Sequence, residues 1–281
     1  FWLEWRLWGD NAAGYHLVNI AGHIVGSVLL WRVLHALKIP GAWLAALLFA
    51  VHPVTVESVA WITERKNVLS GIFFLSAILA WLKLYQTRPS RRIALVFVLF
   101  LLALLAKVSV AMLPLVLLGI ALYRYGRIGF RDILETAPLF ALALIMGLVN
   151  IWFQRQNAMA GGWAPPRGLG ERVASMGWSL ASYLEAAVVP FRLAFVYPEW
   201  PVTAGSPLYY VPLALLVGIA ITIWLLRKRT VWAGPCLYAF GYHALMLLPV
   251  LGLIDIAYFM VGPVSNHLQY LALMGPVTLM A

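Results

Sequence analysis

Eight apolar runs, at residues 16–37, 67–86, 93–106, 108–123, 133–153, 208–226, 231–253 and 268–281, constrain this chain more than any other feature. A helix needs about 20 apolar residues to cross a bilayer core, and these runs approach or meet that length. Hydrophobic residues make up 63% of the 281 and charged residues only 11%, which is outside the range of a soluble domain. Polar and apolar residues do not alternate at period two, as they would in a membrane barrel. Helices, which satisfy their own backbone groups in lipid, are therefore expected. The fold class predicted is an all-α, multi-pass helical bundle of about 8–10 spans, forming one transmembrane domain over residues 1–281. The chain opens on Phe1 and stops at Ala281 inside an apolar run, so it is read as a piece of a longer protein, incomplete at both ends.

The net charge is +10. In a membrane protein, basic residues mark cytoplasmic loops, and no soluble region interleaves them with base-stacking aromatics; no nucleic-acid partner is expected. The lone Cys236 lies in an apolar stretch and supports neither a disulfide framework nor a metal knuckle. Three basic clusters stand beside span ends: Arg88, Arg91 and Arg92; Arg124, Arg127 and Arg131; and Arg227, Lys228 and Arg229. If all three are cytoplasmic, alternation places "HPVTVESVAWITERK", Lys107, the loop from about 154 to 207 and "LIDIAYFMVGPVSNHLQY" together on the opposite face. Segment 172–191 disturbs that parity. It is read as an amphipathic helix along the outer interface, with a folded-back hairpin as the alternative.

The polar residues of that outer face carry the chemistry. A short helix beginning near Pro53 would put Glu57, Trp61 and Arg65 on one stripe at four-residue steps, with Glu64 beside them and Lys66 pointing away. A carboxylate and a cation on one face suit a hydroxyl and a phosphate together; a solvated network of side-chain pairs is the plainer reading. Lys107, between two apolar runs, either meets an anionic lipid phosphate or snorkels to the boundary. His16, Asn19 and His23 recur at helical spacing, which favours hydrogen bonding between helices over a metal site. His267 suits a phosphate or an acceptor, or simply a loop hydrogen bond. No nucleophile elbow, phosphate-binding loop, paired Cys-x-x-Cys or H-E-x-x-H occurs, which removes nucleotide-driven pumping and most soluble-enzyme chemistries.

These residues also follow a familiar order. "HPVTVESVAWITERKNVLSGIFFLSA" resembles the H-P-x-x-x-E-x-V-x-W-x-x-x-R-K-x-x-L-S segment of the transmembrane and tetratricopeptide-repeat O-mannosyltransferases and their bacterial relatives, which are polytopic C-type glycosyltransferases. "GYHLVNIAGH" precedes it, "LLAKVSVAMLPLVLL" and "ERVASMGWSLASYLEAAVVPFRLAFVYP" follow it, and "VSNHLQYLALMG" is similar to the family's V-x-D-[RH]-x-x-Y-L segment.

The resemblance implies an inverting transfer of a sugar, a hexose such as mannose, from a polyprenyl-phosphate donor to a hydroxyl acceptor, a protein Ser or Thr or a glycan, at the non-cytoplasmic face. It implies a bacterial inner membrane with the site facing the periplasm. No cofactor is implied beyond the lipid-linked donor itself, and no metal ligands are assigned. Carried over by position, Glu57 is a supporting catalytic residue, because the family's acidic motif lies in a first outer loop upstream of Phe1, and the isolated piece is expected to be inactive. Arg65, Lys66, Lys107 and His267 are expected to bind the donor phosphate. His52, Trp61 and Asn266 are expected at the substrate, Asn266 standing where an aspartate is usual. Two other classes stay open: a non-catalytic membrane scaffold for helical repeats, and a transporter of lipid-linked or anionic substrates. Charges gathered at one face rather than at mid-bilayer favour the transferase.

Overall fold

The computed structural model describes residues 1–84, 89–158, 167–200 and 205–281. Among them are twelve α-helices and no strand: α1 (Trp2–Trp8), α2 (Ala12–Ala36), α3 (Ala42–Val51), α4 (Val56–Ala60), α5 (Arg65–Leu84), α6 (Pro89–Ala106), α7 (Leu113–Tyr125), α8 (Phe130–Phe153), α9 (Leu169–Val188), α10 (Val211–Leu226), α11 (Ala233–Leu247) and α12 (Met274–Met280). The ends are capped where the sequence allows it. Asn11 accepts the Ala13 N–H to start α2, and the Asp132 carboxylate accepts the Gly129 N–H to start α8, each satisfying a donor that a helix start leaves free.

The protein is a multi-pass membrane protein. Among the described residues, six helical stretches are long and apolar enough to cross a bilayer: Ala12–Ala36, Ile62–Lys83, Val108–Tyr125, Phe130–Asn157, Pro207–Leu226 and Ala233–Val250. The pair Ala42–Val51 and Pro53–Ala60, bent by 52°, makes a seventh if it is one broken span. Run 93–106 lies in α6, of which Ile93–Ala106 is the apolar stretch with described side chains, and run 268–281 spends its first half in 3-10 turns before the seven residues of α12.

Segment 172–191 forms most of α9, one helix rather than a hairpin, and it is not among the candidate spans. Ser175, Ser179, Tyr183 and Ala187 on α9 are buried, a stripe at four-residue steps that packs inward. Gly177 lets α9 approach α10: a Cβ there would lie 2.8 Å from Leu213 N and 3.0 Å from Leu213 Cα. Gly177→Ala gains up to about 1 kcal/mol of helix propensity, but wedging backbone apart costs about 1–3 kcal/mol. A lowered thermal midpoint in detergent is expected, and an unchanged midpoint would show that this crossing is slack.

Two of the basic clusters sit at one end of the bundle, around the α7–α8 turn (Arg124, Arg127, Arg131) and after α10 (Arg227, Lys228, Arg229). The rings of Tyr123 and Tyr238 meet edge-on at 5.2 Å near these turns. Arg88 lies outside the described residues, as do the side chains of Arg91 and Arg92. The starts of α2 and α5, the end of α6 and the 3-10 turn Asn266–Gln269 gather at the other end.

Candidate donor and acceptor site

The site forms where the chain leaves helical geometry. Pro53 has no N–H and biases His52 toward extended backbone (ψ 129°), so α3 ends there. One 3-10 turn leads to α4, which stops at Trp61 (ψ 109°) after five residues. Asn19 on α2 holds that break open: its Nδ2 donates to the carbonyls of Val59 at 3.1 Å and Trp61 at 3.4 Å, giving them partners off the helical ladder. The expected stripe of Glu57, Trp61 and Arg65 therefore does not form. Glu57 and Arg65 face different partners.

Glu57 meets the distant 265–267 loop. Its Oε1 lies 2.6 Å from His267 Nδ1 and accepts the Ser265 hydroxyl at 2.9 Å, and Ser265 Oγ is itself 2.6 Å from His267 Nδ1. Glu57 and His267 are nearly buried, with side chains 7% and 5% exposed. A carboxylate this close places a proton on Nδ1 and leaves Nε2 as the nitrogen that His267 presents. The other carboxylate oxygen, Glu57 Oε2, is buried and has no hydrogen-bond partner among the described residues. The rings of Trp61 and Tyr258 flank the imidazole edge-on at 5.6 and 5.0 Å, and Trp61 also leans on Phe195 at 5.1 Å.

Beside this pair lies a second cluster, centred on Glu64, whose residue is 1% exposed. Lys66 Nζ is 2.8 Å from Glu64 Oε1. Lys107 Nζ is 3.9 Å from Glu64 Oε2 and donates to Asn67 Oδ1. Asn67 is the hub: its Nδ2 lies within hydrogen-bond reach of Glu64 Oε2 at 2.7 Å, the His267 carbonyl at 3.0 Å and Ser58 Oγ at 3.1 Å. Lys107 occupies the break between α6 and the Val108–Tyr125 span, outside both, and its backbone is extended (φ −158°, ψ 121°). Burial lowers its pKa to about 8, with the Glu64 carboxylate opposing that shift, Lys66 adding to it and Glu57 opposing it more weakly. Asn67 and His267 share the wall of a small polar cavity with Ser70 and Ser109.

Three expected site residues are committed to holding the frame. Arg65, 6% exposed, donates from Nε to Asn19 Oδ1 at 2.8 Å, from NH2 to the Tyr15 carbonyl at 3.0 Å, and from NH1 to Glu4. Its guanidinium also lies over the Phe1 ring at 4.7 Å. His52 donates from Nε2 to the Ala187 carbonyl on α9 and accepts the Val54 N–H on Nδ1. Asn266 accepts the Tyr197 hydroxyl at 2.9 Å and donates to the Ala194 carbonyl at 3.0 Å. His23 and Asn19 make the expected bonds between helices, His23 to Tyr270 and to the Ala50 carbonyl. Among the described residues no group of three His, Cys, Asp or Glu is placed to hold a metal ion.

A protein O-mannosyl-transferase of Caenorhabditis elegans is 39% identical over 88 residues, 30% of this chain and 13% of that protein. Protein O-mannosyl-transferase tmtc2 of Xenopus laevis is 39% identical over 90 residues, 31% of this chain and 11% of its own length. Protein O-mannosyl-transferase Tmtc1 of Drosophila melanogaster is 33% identical over 161 residues, 56% of this chain and 18% of its own length. The resemblance is borne out. The chain thus matches under a fifth of the length of these O-mannosyl-transferases. No protein-family model matches it, and no solved structure does.

Glu64, Asn67 and Ser265 are the site residues that the sequence reading underweighted. Asn67 and Ser70 stand among apolar residues in the first turns of a span, and that was the available signal for their facing inward. Ser265 carried no such mark.

Proposed function

We propose that this end of the bundle is the donor-side part of a membrane glycosyltransferase, which moves a hexose such as mannose from a polyprenyl-phosphate to a hydroxyl acceptor, a protein Ser or Thr. The observation that carries this reading is the meeting of Lys66 and Lys107, 41 positions apart, on one buried carboxylate at the boundary end of the bundle. Two cations there suit the charge that builds on a departing lipid phosphate. The orientation of the basic clusters supports placing this end on the non-cytoplasmic side, the periplasmic face of a bacterial inner membrane.

In the transfer, the acceptor oxygen attacks the anomeric carbon from the face opposite the phosphate. The anomeric C–O bond breaks, polyprenyl-phosphate leaves with the electron pair, and the configuration inverts. Lys66 and Lys107 neutralise the leaving phosphate. Glu57 holds Nδ1–H of His267, so His267 Nε2 takes the proton of the acceptor hydroxyl as the new C–O bond forms, and half-exposed Trp61 supplies an apolar face for the sugar. Arg65, His52 and Asn266 keep the loops in register and touch no substrate. The same reading makes membrane lipid, the lipid-linked sugar and the acceptor protein the partners.

The test uses the full-length protein in liposomes with a labelled polyprenyl-phosphate hexose and a Ser/Thr peptide. Sugar transfer to the peptide is expected, reduced by about 10²-fold in Lys66→Ala together with Lys107→Ala. An intact protein that binds partners yet transfers nothing would instead support a scaffold, and movement of label across the bilayer without transfer would support a transporter.

A further inference from the structure

Glu64 has no part in the chemistry just described, yet it is the most buried charged group of the site. Its two oxygens are divided between the two lysines: Oε1 with Lys66 at 2.8 Å and Oε2 with Lys107 at 3.9 Å, with Asn67 fixing Oε2 at 2.7 Å. The Lys66 side chain is 48% exposed and the Lys107 side chain 14%, while that of Glu64 is 2% exposed. A ligand arriving from solvent therefore meets the amines with the carboxylate behind them. Together the three groups carry a net charge of +1. Among the described residues, the Glu57 carboxylate acts on Lys107 from farther away, and Arg65 is paired with Glu4, which also meets the Phe1 amino terminus.

We infer that Glu64 sets the charge of the donor, selecting a lipid monophosphate-linked sugar, with one negative charge, against a diphosphate-linked sugar, with two. This rests on the proposed donor site and goes beyond it by naming the group that counts the charge. Glu64 acts through the lysines and is a specificity residue, not a catalytic one. The second negative charge of a diphosphate repels the Glu64 carboxylate, which is too buried to be screened by salt. Discrimination on the order of tenfold follows from one unit charge at such a partly solvated site.

The experiment measures binding of two short-chain prenyl probes to the full-length protein in nanodiscs at pH 7: a hexose phosphodiester and the diphosphate-linked form of the same hexose. Wild type is expected to prefer the phosphodiester by about tenfold. Glu64→Gln keeps the shape and an acceptor for Asn67, and it should cut that preference to about twofold or less while leaving phosphodiester binding within about threefold. Lys66→Gln, at a half-exposed position that does not endanger folding, should weaken both probes and the diphosphate form more, widening the ratio. If Lys66→Gln weakens both probes and the ratio stays at its wild-type value in every variant that folds, the role of Glu64 is overturned and the donor site stands. If Lys66→Gln affects neither probe, the donor site itself fails.

Discussion

If the proposed transfer holds, Glu57→Gln and His267→Ala are each expected to lower turnover of the full-length protein by about 10²–10³, and the double variant should fall no further than the worse single one. The reason is geometric. Glu57 Oε1 lies 2.6 Å from His267 Nδ1, so its contribution passes through the imidazole, and once the ring is gone the carboxylate has nothing to orient. Groups that act as a unit lose their effect together. Ser265→Ala should cost less than about tenfold, because Ser265 shares the same oxygen of Glu57 but holds no nitrogen that faces substrate. Multiplicative losses in the double variant would mean that Glu57 and His267 work separately. A selective rise in KM with unchanged kcat would move His267 from proton handling to binding.

The membrane character and helical class were plain in the apolar runs, because the 20-residue requirement of a bilayer is a property of sequence alone. The site was legible only in its ingredients. Glu57, Lys66, Lys107 and His267 do converge, although their partners differ from those that four-residue spacing suggests. The stripe through Trp61 and Arg65 failed because Asn19, 42 positions before Trp61, bonds its carbonyl and that of Val59. Periodicity counts neighbours along one helix and is blind to a side chain on another that gives a carbonyl its partner. Arg65 stands apart from that stripe for the same reason: Glu4, Asn19 and the Tyr15 carbonyl occupy its donors. Glu64 was visible as a charge, and only the fold shows that both lysines lean on it.

In the proposed donor site, Lys107 makes binding depend on pH, in a direction that its environment fixes. Burial holds its pKa at about 8 against the opposing pull of Glu64, so the amine is charged below that value and neutral above it. A sugar phosphodiester keeps its single charge throughout this range, so the ligand contributes no titration of its own. Affinity for the prenyl phosphodiester should therefore be nearly flat from pH 6 to 7.5 and fall as pH rises through about 8, approaching tenfold per unit by pH 9. Bound phosphate favours the charged amine, which moves the loss to higher pH in the complex than in the free protein. Lys107→Ala should weaken binding by about tenfold at pH 7 and abolish the alkaline fall. Lys107→Arg, charged at every accessible pH, should flatten the profile even where the longer fork lowers affinity. A profile in Lys107→Arg that still bends near pH 8 would assign the titration to another group and remove Lys107 from contact with the phosphate.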